Sequence, residues 1–200
     1  MTIALVLLDL QKGIVQSDKI PWEDSATPRN ALSAAKTLLD GARSARIPIF
    51  HVGVVRPLAR GTFDVVRTAT AAKSGKPPRE VLALAAGSVD VEFVLAPQPG
   101  EEIVHKIGVS AFQGTRLDTL LRNAGASDVY VAGAFTHMVV ESSVRQGFDL
   151  GYCMHVVRDA CCAPAAVPHN NALATGIPNF ARVLDAAEAV AQFIRGRGDA

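Results

Sequence analysis

Residues 3–8 form an unbroken apolar run closed by Asp9, the pattern of a central parallel strand covered on both faces. Downstream, Thr27 and Pro28 read as an N-cap and a first-turn proline. Ala31, Ala34, Ala35, Leu38, Leu39 and Ala42 then recur at helical spacing. Residues 47–55 predict a second strand, with Pro48 tolerable only near its start. Residues 56–76 carry no clear period and include Pro57, Gly61, Gly75 and several basic side chains, so they predict a long surface excursion of the kind that covers sites. After it the alternation resumes. Residues 102–106 predict a strand, 115–123 an amphipathic helix stopped at Gly125, 129–132 a strand, 136–146 a helix ended by Gly147, and 153–157 a strand closed by Asp159. In the tail, residues 167–174 read as helical, 181–184 as a last strand and 186–194 as a closing helix. This β-α alternation predicts an α/β fold, a doubly wound and mainly parallel sheet of about six strands with helices on both faces and right-handed crossovers.

A chain of 200 residues is long enough for one full core and too short for two ordinary domains, so residues 1–200 are expected to form a single domain without internal repeat or linker. The net charge of +1 leaves no basic footprint for nucleic acid and no strong acidic field, which points to a small-molecule partner. Lys73, Lys76 and Arg79 form a patch too short and too free of aromatics to change that reading. The apolar start runs directly into Asp9, Gln11 and Lys12 without a basic leader, so it reads as a strand and not as a signal peptide. No other apolar stretch approaches the roughly 18–20 residues of a membrane span. Cys153, Cys161 and Cys162 are an odd, clustered set that does not suggest a disulfide framework, and a reducing cytoplasm fits them best.

In doubly wound sheets, ligands bind beyond the carboxyl ends of the strands, where the strand order reverses. Asp9, Lys106 and the segment 133–139 all fall at predicted strand ends and are expected to converge on one crevice. There an aspartate and a lysine would form a coupled pair in which either partner can move a proton. The alternative is that Asp9 caps a loop and Lys106 solvates a strand end. His51 reads as a core or strand-end histidine, so neither a metal nor a cofactor is expected. His137, at a helix start, is held toward its neutral form and either contacts ligand or caps the helix. His105 should face away from Lys106. Cys161 and Cys162 read as small buried or loop hydrophobes. Gln113-Gly114-Thr115 lacks the spacing and lysine of a phosphate loop.

Several ordered motifs carry a resemblance. Asp9-Leu10-Gln11, Lys106, the run Ser110-Ala111-Phe112-Gln113-Gly114-Thr115 followed by Leu117 and Leu120, Gly133-Ala134-Phe135-Thr136, and Asp159-Ala160 together resemble the signature of the isochorismatase-like hydrolases over residues 3–175. The resemblance implies that Asp9 is the acid or base, that Lys106 sits beside it, and that Gln11, Phe112, Ala134, Phe135, His137, Met138 and Val139 bind substrate. It also implies a cis peptide at Ala134–Phe135 and a homo-oligomer, dimeric or tetrameric. The amidase branch of the family usually carries a nucleophilic cysteine where this chain has Val139, and a valine cannot attack a carbonyl. Isochorismatases proper also lack that cysteine and protonate a vinyl ether with the aspartate, chemistry that remains open to Asp9 and Lys106. They typically carry a glycine at the Val139 position and an aromatic, glutamine-rich segment where this chain has residues 51–60, so isochorismate itself is disfavoured. The resemblance therefore implies a hydrolase of a small, possibly carboxylated metabolite working without a cysteine nucleophile. The other reading is a catalytically silent relative that binds a metabolite or partner in the same crevice. An amidase using Cys161 or Cys162 is the weakest reading.

Overall fold

The computed structural model describes residues 2–18, 20–55, 75 and 91–196. Almost all of the predicted excursion at 56–76, and the basic Lys73, Lys76 and Arg79, lie outside the described residues. The described elements run β1 (Ile3–Leu8), α1 (Lys12–Val15), α2 (Thr27–Ala45), β2 (Ile49–Val54), β3 (Glu102–Lys106), α3 (Leu117–Asn123), β4 (Asp128–Ala134), α4 (Glu141–Asp149), β5 (Cys153–Cys162), α5 (Ala166–Asn171), β6 (Ala181–Leu184) and α6 (Ala186–Gly196). The strands form one sheet in the order β3-β2-β1-β4-β5-β6, every pair parallel. The chain winds outward from β1 in one direction and then from β4 in the other, so the order reverses between β1 and β4. Their carboxyl ends open the crevice at which such folds bind ligands.

Both faces of the sheet are covered, which is why β1 reads as continuous apolar sequence and not as an alternating one. Leu5 and Leu7 point into a core shared with Ala35, Leu38 and Leu39 of α2 and Phe193 of α6. Ala4, Val6 and Leu8 point into the opposite core with Leu117 and Leu121 of α3 and Val144 of α4. Among the described residues no helix is long and apolar enough to cross a membrane.

Several boundaries shift by a few residues, and three differences have a clear cause. Thr27 is the first residue of α2 and not its cap; Asp24 reaches over the helix mouth, accepting the Ala26 N–H at 2.8 Å and the Thr27 hydroxyl at 3.4 Å. The predicted helix 136–146 is a wide π turn at Thr136–Val140 followed by α4, which continues through Gly147 to Asp149. Gly147 does not stop the helix because its role is close packing: a Cβ there would lie 2.6 Å from the Met154 sulfur of β5. Finally, β5 continues past Val157 to Cys162. A register shift lets Gly133 pair with Cys161 after Val131 has paired with Val156, and Asp159 becomes an exposed strand residue whose carboxylate accepts the Ala186 N–H at 2.9 Å at the start of α6.

Candidate active site

Asp9 follows β1 directly and turns the chain out of the sheet with a left-handed backbone, φ 54°, a conformation that aspartate tolerates better than most residues. Its N–H still bonds Val52 O at 2.8 Å, so the turn is anchored to β2. Lys106 ends β3, on the far side of β2, and its side chain crosses over the end of β2 to bring Nζ within 2.9 Å of Asp9 Oδ2. The same ammonium donates to Gly108 O at 3.1 Å. Asp9 and Lys106 are each only 2% exposed. A carboxylate and an ammonium held this close and this dry form a buried ion pair. The convergence expected from strand ends is therefore present for these two residues, and Lys106 is not a solvated strand end. His105 points away from Lys106 and is exposed, as a strand requires.

Gln11, expected at the substrate, is fully buried and its amide is committed to backbone. Oε1 accepts the Val54 N–H at 2.8 Å, and Nε2 donates to Val54 O at 3.2 Å and Val91 O at 3.1 Å. It lies across Gly53, where a Cβ would approach its carboxamide carbon to 2.9 Å. Gln11 thus ties the loop after β1 to the end of β2 and holds Asp9 in place. Phe112 stacks on Tyr152 with ring centroids 6.0 Å apart and is buried in the core between the sheet, α3 and α4. The segment around it is braced through Ser143, which donates to Val139 O at 2.7 Å and accepts the Ala111 N–H at 2.9 Å, and through Ser110, whose hydroxyl donates to Gln146 at 2.7 Å.

The second wall is the turn after β4. Gly133, φ 147°, pairs with Leu8, and a Cβ there would sit 2.1 Å from Leu8 O; only glycine lets the two backbones come this close. The Ala134–Phe135 peptide is trans, contrary to the cis bond expected, since no cis peptide occurs among the described residues. Reversal is instead achieved at Phe135, whose left-handed backbone (φ 60°, ψ 58°) costs of order 1–3 kcal/mol for a bulky side chain and is enforced by its surroundings. The Phe135 carbonyl then accepts the N–H groups of both Met138 and Val139, at 2.9 and 2.8 Å. Ala134 is fully buried, while Phe135, His137 and Met138 are half-buried. Val139 is 5% exposed and packs with Val140, Val144 and Cys161 in the core.

One residue at this turn escaped sequence reasoning. His169 of α5 meets the Thr136 hydroxyl through Nδ1 at 2.8 Å, and burial, followed by the nearby His137, lowers its pKa. The contact spans 33 residues and no local motif announces it. Cys161 and Cys162 lie opposite Gly133 and Ala134 in register, nearer the turn than their place in the chain suggests. Burial pushes both thiols up to about 12, so neither supplies a thiolate at neutral pH. His51 is a core histidine: Nε2 lies 2.8 Å from Glu101, its ring meets Phe93 edge-on, and burial lowers its pKa despite the carboxylate. Burial raises the Glu101 carboxyl, but hydrogen bonds from Arg43, the Gln98 N–H and His51 outweigh it and hold the group at about 2.

The fold and site define a doubly wound α/β domain with a buried aspartate–lysine pair at the switch point, beside a left-handed turn after β4 that carries Val139. The Isochorismatase domain model matches residues 3–188, and the chain belongs to the isochorismatase family. It is 30% identical over 192 residues to the uncharacterized isochorismatase family protein YecD of Escherichia coli O157:H7, covering 91% of each chain. It is 29% identical over 171 residues to the ureidoacrylate amidohydrolase RutB of Caulobacter vibrioides, covering 80% of this chain and 76% of that one. Among solved structures, an isochorismatase family protein from Burkholderia thailandensis superposes with a TM-score of 0.76 at 26% identity over 96% of both chains.

Proposed function

We propose that this protein is an isochorismatase-family hydrolase that acts on a small, carboxylated metabolite by proton transfer between Asp9, Lys106 and substrate, without a covalent enzyme intermediate. The observation that carries the reading is the 2.9 Å contact between Asp9 and Lys106, both almost wholly buried, at the carboxyl edge of the sheet beside a turn in which Val139 offers no attacking atom. The protein's own thiols near that turn are held protonated, which supports water as the attacking group. In this reading Asp9 protonates the departing atom or deprotonates water, and Lys106 holds its charge and position. Similarity to a ureidoacrylate amidohydrolase favours substrates that combine a carboxylate with a polar bond to be cleaved by water.

A second reading has its own support. Val139 packs into the core, and Asp9 and Lys106 are closed from solvent, the geometry expected of a silent binding relative. A screen separates the two. Wild type is assayed against ureido acids, carbamoyl amino acids and carboxylated enol ethers, in parallel with Val139→Cys. Turnover of one class by wild type supports the proposal. Inactivity of wild type on all three overturns it, and activity appearing only in Val139→Cys identifies a silenced amidase pocket.

A further inference from the structure

At the edge of the sheet opposite the Asp9–Lys106 pair, β4 and β5 begin side by side. Asp128, first in β4, is the register partner of Cys153, first in β5, and Tyr130 is the partner of His155. Residues two apart on a strand share a face, and partners on neighbouring strands stand about 4.8 Å apart, so Asp128, Cys153 and His155 gather on one side of the sheet. A carboxylate oxygen, a thiol sulfur and an imidazole nitrogen lie within 4.8 Å of one another. His155 Nε2 is 3.0 Å from Asp128 Oδ1. The residues around them fix the donors: the Ser127 hydroxyl donates to Asp128 Oδ2 at 2.8 Å, and the Tyr130 ring stacks on the imidazole at 4.3 Å and 9°. His155 is 7% exposed; its Nε2–H donates to the Asp128 carboxylate, and its Nδ1 is buried with no hydrogen-bond partner among the described residues, so Nδ1 can take up the ring proton when Nε2 presents its lone pair to an ion.

We propose that Asp128, Cys153 and His155 form a binding site for a divalent transition-metal ion of the zinc type. Thiolate, imidazole and carboxylate together are the donor set of that class, whereas magnesium or calcium would call for oxygen alone. Bond lengths of 2.0–2.3 Å in a tetrahedral arrangement require donors about 3.3–3.6 Å apart. Reaching that from the present spacing takes a contraction of about 1 Å at the exposed Cys153 and a slight opening of the Asp128–His155 contact. On binding, the Cys153 thiol releases one proton to solvent as its sulfur takes up the metal; no electron changes hands. Three protein donors leave a fourth position on the solvent side for water. β4 separates this cluster from the turn after Ala134 by about 20 Å at 3.3 Å per residue, so the site is distinct from the crevice.

Cobalt reports such a site directly. The full, tag-free chain titrated with cobalt(II) is expected to develop tetrahedral d–d absorption and a sulfur-to-cobalt charge-transfer band at one ion per chain, both displaced by zinc. Zinc should also protect Cys153 from alkylation. Cys153→Ala, at an exposed strand end, should fold normally, lose the charge-transfer band and bind zinc about 100-fold more weakly; Asp128→Asn should weaken it at least tenfold. Absence of the band in wild type, or a band that survives Cys153→Ala, overturns the proposal.

Discussion

Replacing Lys106 with methionine keeps most of its unbranched apolar stem and removes its ammonium, leaving the Asp9 carboxylate buried without that charge. At 2.9 Å and an effective dielectric constant of 20, the attraction is about 6 kcal/mol, most of which offsets the cost of taking both groups out of water. Breaking one side of such a pair typically costs about 3–5 kcal/mol, and the same range applies to Asp9→Asn, which strands the ammonium. The double variant removes both charges, so its cost should fall short of the sum of the single ones by at least about 2 kcal/mol. The pH dependence carries a second signature. In Lys106→Met burial disfavours the charged form of Asp9 that the ammonium favoured, so the variant loses more stability relative to wild type where the carboxyl is ionised than where it is protonated. The deficit relative to wild type should therefore be largest at pH 7 and shrink toward pH 4. Urea denaturation of the four proteins, followed by circular dichroism across that range, measures both. Additive single costs, or a deficit independent of pH, would refute a coupled buried pair.

Gly133→Ala should destabilise by more than about 4 kcal/mol or prevent soluble expression, because its Cβ would meet Leu8 O at 2.1 Å at φ 147°; chemical denaturation or yield shows it. Glu101, held at about 2 against an ordinary 4.5, contributes stability that is present above pH 4.5 and lost as pH falls toward 2. Glu101→Gln should cost about 2 kcal/mol at pH 7, once partial solvent screening around Arg43 is allowed for, and nearly nothing at pH 2, as read from the acid limb of the unfolding curve. Of the chain's three cysteines, only Cys153 should react with a water-soluble disulfide reagent in the native protein, and all three after denaturation. Reaction of more than one thiol without unfolding would contradict the burial of Cys161 and Cys162.

The elements bounded by hydrophobic runs are those most legible in the chain. Strands β1, β3 and β6 fall where the apolar pattern places them, because each run ends abruptly at a charged or turn residue. Misplaced boundaries share a cause. Gly147 and Asp159 look like local punctuation but answer tertiary demands, one the approach of Met154 and the other the start of α6. At the site, the strand-end argument locates Asp9 and Lys106, which face each other across two strand spacings. What lay beyond sequence reading is contact between distant elements. The His169–Thr136 bond, the Gln11 clamp on β2 and the grouping of Asp128 with Cys153 and His155 all depend on strand register, which no single segment encodes. Phe135 shows the same limit, since a left-handed phenylalanine is imposed by the packing around the turn and has no compositional signal.

The central claim is that Asp9 moves the proton in a hydrolysis that needs no thiol. It is tested most directly by kcat/KM for wild type and Asp9→Asn on the best substrate from the screen, with folding of the variant checked by circular dichroism. General acid–base catalysis contributes typically 10²–10⁴-fold, so the variant should fall by at least about 100-fold, chiefly in kcat. Equal values for the two proteins would contradict the account.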